Sequence, residues 1–282
     1  MPLRLGTRTS RLAMWQAHWV ASELHHQGIA VDLVPIAVTA DQDTRPIAEL
    51  GQVGVFTKEI QRALLDQQID LAVHCLKDLP AGEVPHLQVA AILPRESAAD
   101  CLVSRAGASL AALPAGARIG TGSVRRRCQL LNIRSDLRIE GIRGNVDTRL
   151  QKLDAEEYDA LVLAEAGLVR LARRERITQV FDVEQLVPAA GQGALAIEIR
   201  QGDERAHAAA RALHDPDAGD ATNAERYVMT ALGGGCDAAI GVHAAKRDAA
   251  GFRLTTSVLS RDGQHQLRES IETTAERLLE EA

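Results

Sequence analysis

Pro188-Ala-Ala-Gly-Gln-Gly193 runs directly into Ala194-Leu-Ala-Ile-Glu-Ile199, and this junction decides how the chain is divided. Glycine frees the backbone and proline fixes it, so such clusters punctuate a chain. The apolar run behind them reads as a strand. A second punctuation, Pro94-Arg-Glu-Ser97, lies far upstream. Together they bracket residues 98–187 as one unit and look like paired hinges. The strand after the second hinge then returns to the first unit, which makes that unit discontinuous, 1–94 with 194–212. Residues 215–282 remain as a small third domain.

Within these units strand-like and helix-like patterns alternate. In the first, residues 3–5 read as a strand, Gly6-Thr-Arg8-Thr-Ser10 as a turn, and Arg11 to His26 as a helix with Leu12, Trp15, Trp19 and Leu24 on one face. Strands are expected over 31–38, 69–73 and 89–93, with a loop over 40–55 and a helix whose face carries Phe56, Ile60 and Leu64. The second unit has strands near Cys101, Ile119, Ile139 and Leu161 and helices over 124–132, 146–155 and 165–173. The third has a helix over 221–232, strands over 240–245 and 254–259, and a terminal acidic helix. The implied fold class is α/β, two lobes with parallel sheets joined by two hinges, plus a small α+β C-terminal domain. Two lobes joined by two crossovers bind ligands in the cleft between them.

Composition narrows the ligand. Net charge is −6, yet 118–149 holds eight arginines against Asp136, Glu140 and Asp147, a local net of +5. Only 2% of residues are aromatic, too few to stack single-stranded bases, and a pI near 5.9 is wrong for a general duplex binder. A small polyanion fits better; charge alone leaves carboxylate and phosphate both open. Arg127 and Arg134 read as a solvated helix face. The start, Met-Pro-Leu-Arg-Leu-Gly, has no apolar leader and no stretch has membrane length, so a cytoplasmic protein is expected. The four cysteines, 75, 101, 128 and 236, form no C-x-x-C pair, and free thiols without a metal site are expected.

Several segments would line the cleft. Gly6-Thr-Arg8-Thr-Ser10 and Ile119-Gly-Thr121-Gly-Ser123-Val-Arg125-Arg126 each join a strand to a helix N-terminus, where free N–H groups favour an anion; taken singly, they are also ordinary helix caps. Arg143-Gly144-Asn-Val-Asp-Thr-Arg149 adds two arginines at a similar turn, and His74-Cys-Leu-Lys77-Asp78-Leu-Pro80 ends a buried strand with a charged pair. In Leu232-Gly-Gly-Gly-Cys236 three glycines strip the steric cover from a thiol.

These motifs, in order and in register with Ala189-Ala-Gly-Gln192-Gly-Ala194 and Gly234-Gly-Cys236, resemble the porphobilinogen deaminase (hydroxymethylbilane synthase) family over essentially the whole chain. The resemblance implies two lobes like type II periplasmic binding proteins and a third domain. It implies the condensation of four porphobilinogen molecules into linear hydroxymethylbilane with loss of ammonia. It makes Cys236 the thioether anchor of a dipyrromethane cofactor and Asp78, with Lys77, the catalytic pair that stabilises the azafulvene cation. It assigns cofactor binding to Lys77, Asp78, Thr121, Ser123, Arg125, Arg126, Arg143 and Gly144, and substrate binding to Arg8, Ser10, Arg143, Arg149, Arg170 and Gln192. A monomer acting on a small molecule, without nucleic acid, membrane or metal, is the corresponding expectation. Departures stand at Cys75, Gly122, Gly233 and Ala239, and in the loop at Ala40, Glu49 and Val53, where the family often carries other residues. The alternatives are a binding module without catalysis and a paralogue with altered elongation.

Overall fold

The computed structural model describes residues 1–39, 57–235, 238–247, 251–274 and 277–282. In chain order the elements are β1 (Leu3–Arg8), α1 (Arg11–His26), β2 (Val31–Ile36), α2 (Lys58–Leu65), β3 (Leu71–Cys75), β4 (Leu87–Ile92), β5 (Asp100–Ser104), β6 (Arg118–Gly120), α3 (Val124–Ile133), β7 (Arg138–Glu140), α4 (Val146–Asp154), β8 (Ala160–Ala164), α5 (Glu165–Arg170), β9 (Gln179–Val180), β10 (Leu195–Arg200), α6 (Glu204–Arg211), α7 (Pro216–Ala231), β11 (Ile240–Lys246), β12 (Gly251–Leu259), β13 (Gln266–Thr274) and α8 (Leu278–Glu281). The expected loop over 40–55, with Ala40, Glu49 and Val53, and Phe56 and Cys236 lie outside the described residues.

Two five-stranded sheets share one plan. The first runs β2-β1-β3-β10-β4 and the second β7-β6-β8-β5-β9. In each, three strands are parallel and the fourth in order, β10 or β5, is antiparallel to both its neighbours. Each antiparallel strand directly follows one of the crossovers between lobes. The structure is therefore two α/β lobes of the type II periplasmic-binding plan, with the meander β11-β12-β13 and α7 as a C-terminal α+β layer.

The cores follow the apolar spacing. Leu5, Leu24, Leu71 and Ile197 close the first lobe, Leu102, Ile119, Leu130 and Phe181 the second, and Ala224, Val228, Val242 and Phe252 the third. A fully buried leucine contributes about 1.5–3 kcal/mol. On α1 the buried stripe is Ala13, Gln16, Ala17, Val20, Ala21 and Leu24, and Trp15 is exposed. That corrects the expected face at Trp15, while Trp19 is partly buried against the same core, as expected. Three alanines let the helix lie close on the sheet, where a tryptophan would hold it away.

The third domain also departs from expectation. Instead of a terminal acidic helix after Arg261-Asp-Gly263, the chain turns at Gly263, φ +74°, and returns as the edge strand β13. The β-branched Ile271, Thr273 and Thr274 favour a half-exposed strand, and the helix shrinks to α8.

The two crossovers touch. Gly193 has φ +87°, and a Cβ built there would stand 2.3 Å from the Glu96 carbonyl oxygen. Glu225, fully buried on α7, ties both to the third domain. It takes a two-point ion pair from Arg95 at 2.7 and 3.1 Å, and its carboxylate also accepts from the N–H groups of Gly191 at 2.7 Å and Ala244 at 2.8 Å.

Candidate active site

Strand β3 ends at Cys75, and the chain tightens into a 3-10 turn, Leu76–Asp78, closed by Leu79 N–H donating to Leu76 O at 3.1 Å. Leu76 and Leu79 sink into an apolar cluster with Ile92, Ala194 and Ala196, which leaves Lys77 and Asp78 between two buried anchors. Gly191 packs so closely on Leu76 that a Cβ there would lie 2.8 Å from its Cγ. Lys77 Nζ donates to Gln192 Oε1 at 3.3 Å. Burial lowers the Lys77 pKa, the positive Arg126 adds to this, and Asp78 opposes it. Asp78 itself is half-buried.

In the second lobe, Thr121 Oγ1 accepts from Ser123 N–H at 3.2 Å, and Ser123 Oγ caps α3 by accepting from Arg126 N–H at 3.3 Å. Ser10 caps α1 in the same way through Ala13 N–H. Capping orders these turns and leaves free N–H groups at the helix N-termini, where an anion is favoured.

The next two residues are not free cleft arginines. Arg125 Nη1 donates to Asp100 Oδ2 at 2.7 Å and to Val187 O at 2.8 Å; Arg126 Nε donates to Asp100 Oδ1 at 2.9 Å, and its Nη2 donates to Gln192 Oε1 at 3.2 Å. Burial opposes the Asp100 charge, but the two guanidiniums outweigh it and hold the carboxyl well below the usual range. Gln192, with no exposed surface, donates Nε2 to Ala98 O and Asp100 Oδ1 at 2.7 and 2.8 Å. One amide thus joins Lys77 of the first lobe to the Asp100–Arg126 pair of the second. Arg134 likewise leaves the solvated face expected of it, donating to Leu110 O and Leu113 O at 2.8 and 2.9 Å.

Of the remaining arginines, Arg149 lies within electrostatic reach of Asp78. Gly144 has φ +106° and sits against Thr148, so the turn before α4 requires glycine. Its carbonyl accepts from Arg149 Nε at 2.8 Å. Burial, joined by the positive Arg126 and Arg143 and opposed by Asp78, brings the Arg149 pKa down to about 10. Arg126, Arg143, Arg149 and Asp78 therefore share one electrostatic neighbourhood. Arg170 Nη2 donates to Gly193 O at 2.7 Å beside the second crossover. Arg8, half-buried, closes β1 on the first lobe. Cys75 is held by Gln16, whose Nε2 lies 3.1 Å from Sγ, and burial pushes its thiol up. The arrangement concentrates more cations than acids among these described residues, which suits a ligand bearing several carboxylates.

Comparison with known proteins decides between the readings. Residues 3–208 match the family model described as porphobilinogen deaminase, dipyromethane cofactor binding domain, and residues 221–282 match the porphobilinogen deaminase C-terminal domain. The chain belongs to the porphobilinogen deaminase family. It is similar to the porphobilinogen deaminase of Syntrophotalea carbinolica, 49% identical over 245 residues, covering 86% of this chain and 78% of that one. It is also similar to that of Pelobacter propionicus, 43% identical over 272 residues, covering 95% and 87%. Among solved structures, the methionine binding protein MetQ overlaps 83% of this chain and 96% of its own at 13% identity, with a TM-score of 0.49. As a porphobilinogen deaminase the chain is a transferase, hydroxymethylbilane synthase, of tetrapyrrole biosynthesis, with porphobilinogen as substrate and dipyrromethane as cofactor. The positive charge around Arg143 and Arg149 has the sign that the carboxylates of that cofactor require. No helix among the described residues is long and apolar enough to cross a membrane.

Sequence reasoning missed Asp100, Arg95, Glu225 and Arg226. A signal existed for two of them: Asp100 opens the otherwise apolar run to Val103, and Glu225 interrupts the stripe Ala221, Ala224, Val228 of α7. A charge on a buried face needs a partner, but sequence does not say which arginine supplies it.

Proposed function

We propose that Asp78 is the carboxylate that meets the positive charge developing on porphobilinogen as ammonia leaves, and that Cys236 holds the dipyrromethane through a thioether. The observation that carries the first assignment is the turn at the end of β3, where the buried anchors Leu76 and Leu79 hold Asp78 beside Lys77, within electrostatic reach of Arg149. When its C–N bond breaks, the substrate's aminomethyl carbon becomes cationic and conjugated with the pyrrole N–H. A fixed carboxylate stabilises that charge more than it stabilises the neutral substrate, which lowers the barrier. When bound, dipyrromethane supplies the free α-carbon that the incoming methylene joins.

The chain's own residues orient both partners. Arg143 and Arg149, with Arg8, Arg170, Ser10 and the N–H groups near Thr121 and Ser123, hold acetate and propionate carboxylates. Lys77 is kept in line by Gln192 Oε1. Arg125 and Arg126 act through Asp100: Arg125 stiffens the floor, and Arg126 adds positive potential. In this reading the domains are 1–94 with 194–212, 98–187 and 215–282, and the protein works as a cytoplasmic monomer without metal or nucleic acid.

Intact mass before and after limiting porphobilinogen tests the reading. The purified protein should carry a covalent adduct and form an evenly spaced ladder, each step one porphobilinogen less ammonia. Cys236→Ala should fold without adduct, and Asp78→Asn should load the cofactor but cease turnover. Near-native turnover in Asp78→Asn would sink the assignment of the carboxylate, and an adduct on Cys236→Ala would sink that of the anchor.

A further inference from the structure

Arg226 follows Glu225 on α7 and stands ten residues before Cys236. Its guanidinium reaches from the third domain to three successive carbonyls just after Asp78. Nη1 donates to Leu79 O at 3.3 Å, and Nη2 donates to Pro80 O and, at 3.3 Å, to Ala81 O. No backbone N–H among the described residues donates to these carbonyls. The planar fork of a guanidinium can satisfy several acceptors at once, which a lysine cannot do in the same geometry. On the other side of Asp78 the turn is fixed by Leu76 against Gly191. Outside any strand or helix, the segment after Asp78 has no ladder of its own, and such segments open easily unless held.

We propose that Arg226 is a positioning residue that ties the Asp78 turn to α7, the helix that precedes Cys236 in the chain, so that one guanidinium holds the carboxylate in register with the third domain. The proposal rests on the roles given above to Asp78 and Cys236. Losing the tie lets the turn drift while leaving the cleft arginines of the second lobe in place. The defect therefore falls on kcat and spares KM. Beside Arg226 is a cavity of about 320 Å3, walled by residues 79–84 and by Glu198. A free guanidinium ion can enter it and occupy the place a truncated side chain leaves.

The test compares cofactor-loaded wild type, Arg226→Ala, Arg226→Lys and Asp78→Asn by steady-state kinetics, thermal melting and the mass ladder, with and without guanidinium well below denaturing concentration. Arg226→Ala should carry the adduct, lose kcat on the order of tenfold or more with KM nearly unchanged, and recover severalfold with guanidinium, which wild type does not. Wild-type kcat in Arg226→Ala, or a loss that guanidinium does not restore, overturns the proposal. Should Arg226→Ala fail to fold, Arg226→Lys decides. A lowered kcat at an unchanged melting temperature supports the tie, and wild-type kcat refutes it. Asp78→Asn separates the two failures, because turnover there would overthrow the catalytic assignment whatever Arg226 does.

Discussion

At the scale of single residues, Asp100 governs the stability of the second lobe. It pairs with two buried guanidiniums at once, and its removal leaves both desolvated and uncompensated, which costs about 3–5 kcal/mol. Asp100→Asn should lower stability by that amount in urea unfolding. Arg126→Leu also disturbs this group, because Arg126 is buried against Asp100 and Gln192, so it should lower stability as well as turnover, although Asp100 keeps Arg125 as its partner. Arg127→Leu, exposed on α3, should leave both stability and turnover near wild type. The thiols give a separate check. Burial pushes Cys101 up to about 12 and raises Cys75 and Cys128, so the native enzyme should resist alkylation at neutral pH. Unfolded holoenzyme should take up label at Cys75, Cys101 and Cys128 but not at Cys236. Rapid native labelling at Cys101 would contradict the burial.

At the scale of elements, the crossover pair depends on Gly193. Alanine there would meet the Glu96 and Ser97 carbonyls at 2.3 and 2.7 Å with φ +87°, combining left-handed strain with overpacking against backbone. Each effect costs about 1–3 kcal/mol, so Gly193→Ala should melt well below wild type, while Gly202→Ala, also at positive φ but in open space, should lose only the strain. This junction was legible in the sequence because Pro and Gly mark it and the apolar run after it has strand character. The α1 face was not, since the larger apolar residues suggested Trp15 and the sheet chose the alanines. The cleft turns were readable from the spacing of Gly, Thr, Ser and Arg. The division of arginines between cleft and floor was not, because it depends on where Asp100 and Gln192 arrive in three dimensions.

At the scale of the whole molecule, Glu225 holds three parts together through Arg95, Gly191 and Ala244. Glu225→Gln should loosen the third domain ahead of the lobes, seen as faster hydrogen exchange in β11 and β12 than in β1 and β3; uniform exchange would deny it this role. Burial pushes Asp70 up, but Arg4 and Arg200 outweigh it and bring its pKa from 3.8 to about 2. A depressed carboxyl contributes stability that is complete above its unfolded pKa and disappears as pH falls toward the folded value. The melting temperature should therefore drop between these two values, and Asp70→Asn should flatten that slope. Strand β10 carries a further consequence, for the order in which the ribosome delivers the chain. It lies between β3 and β4, yet it is translated after every strand of the second lobe. The second sheet can close while the first still lacks its fourth strand. A nascent chain arrested before Leu195 exposes β3 and β4 as unsatisfied edges, and open edges of that kind recruit other chains. Until β10 emerges, the first lobe is the part of the nascent chain most in need of a chaperone.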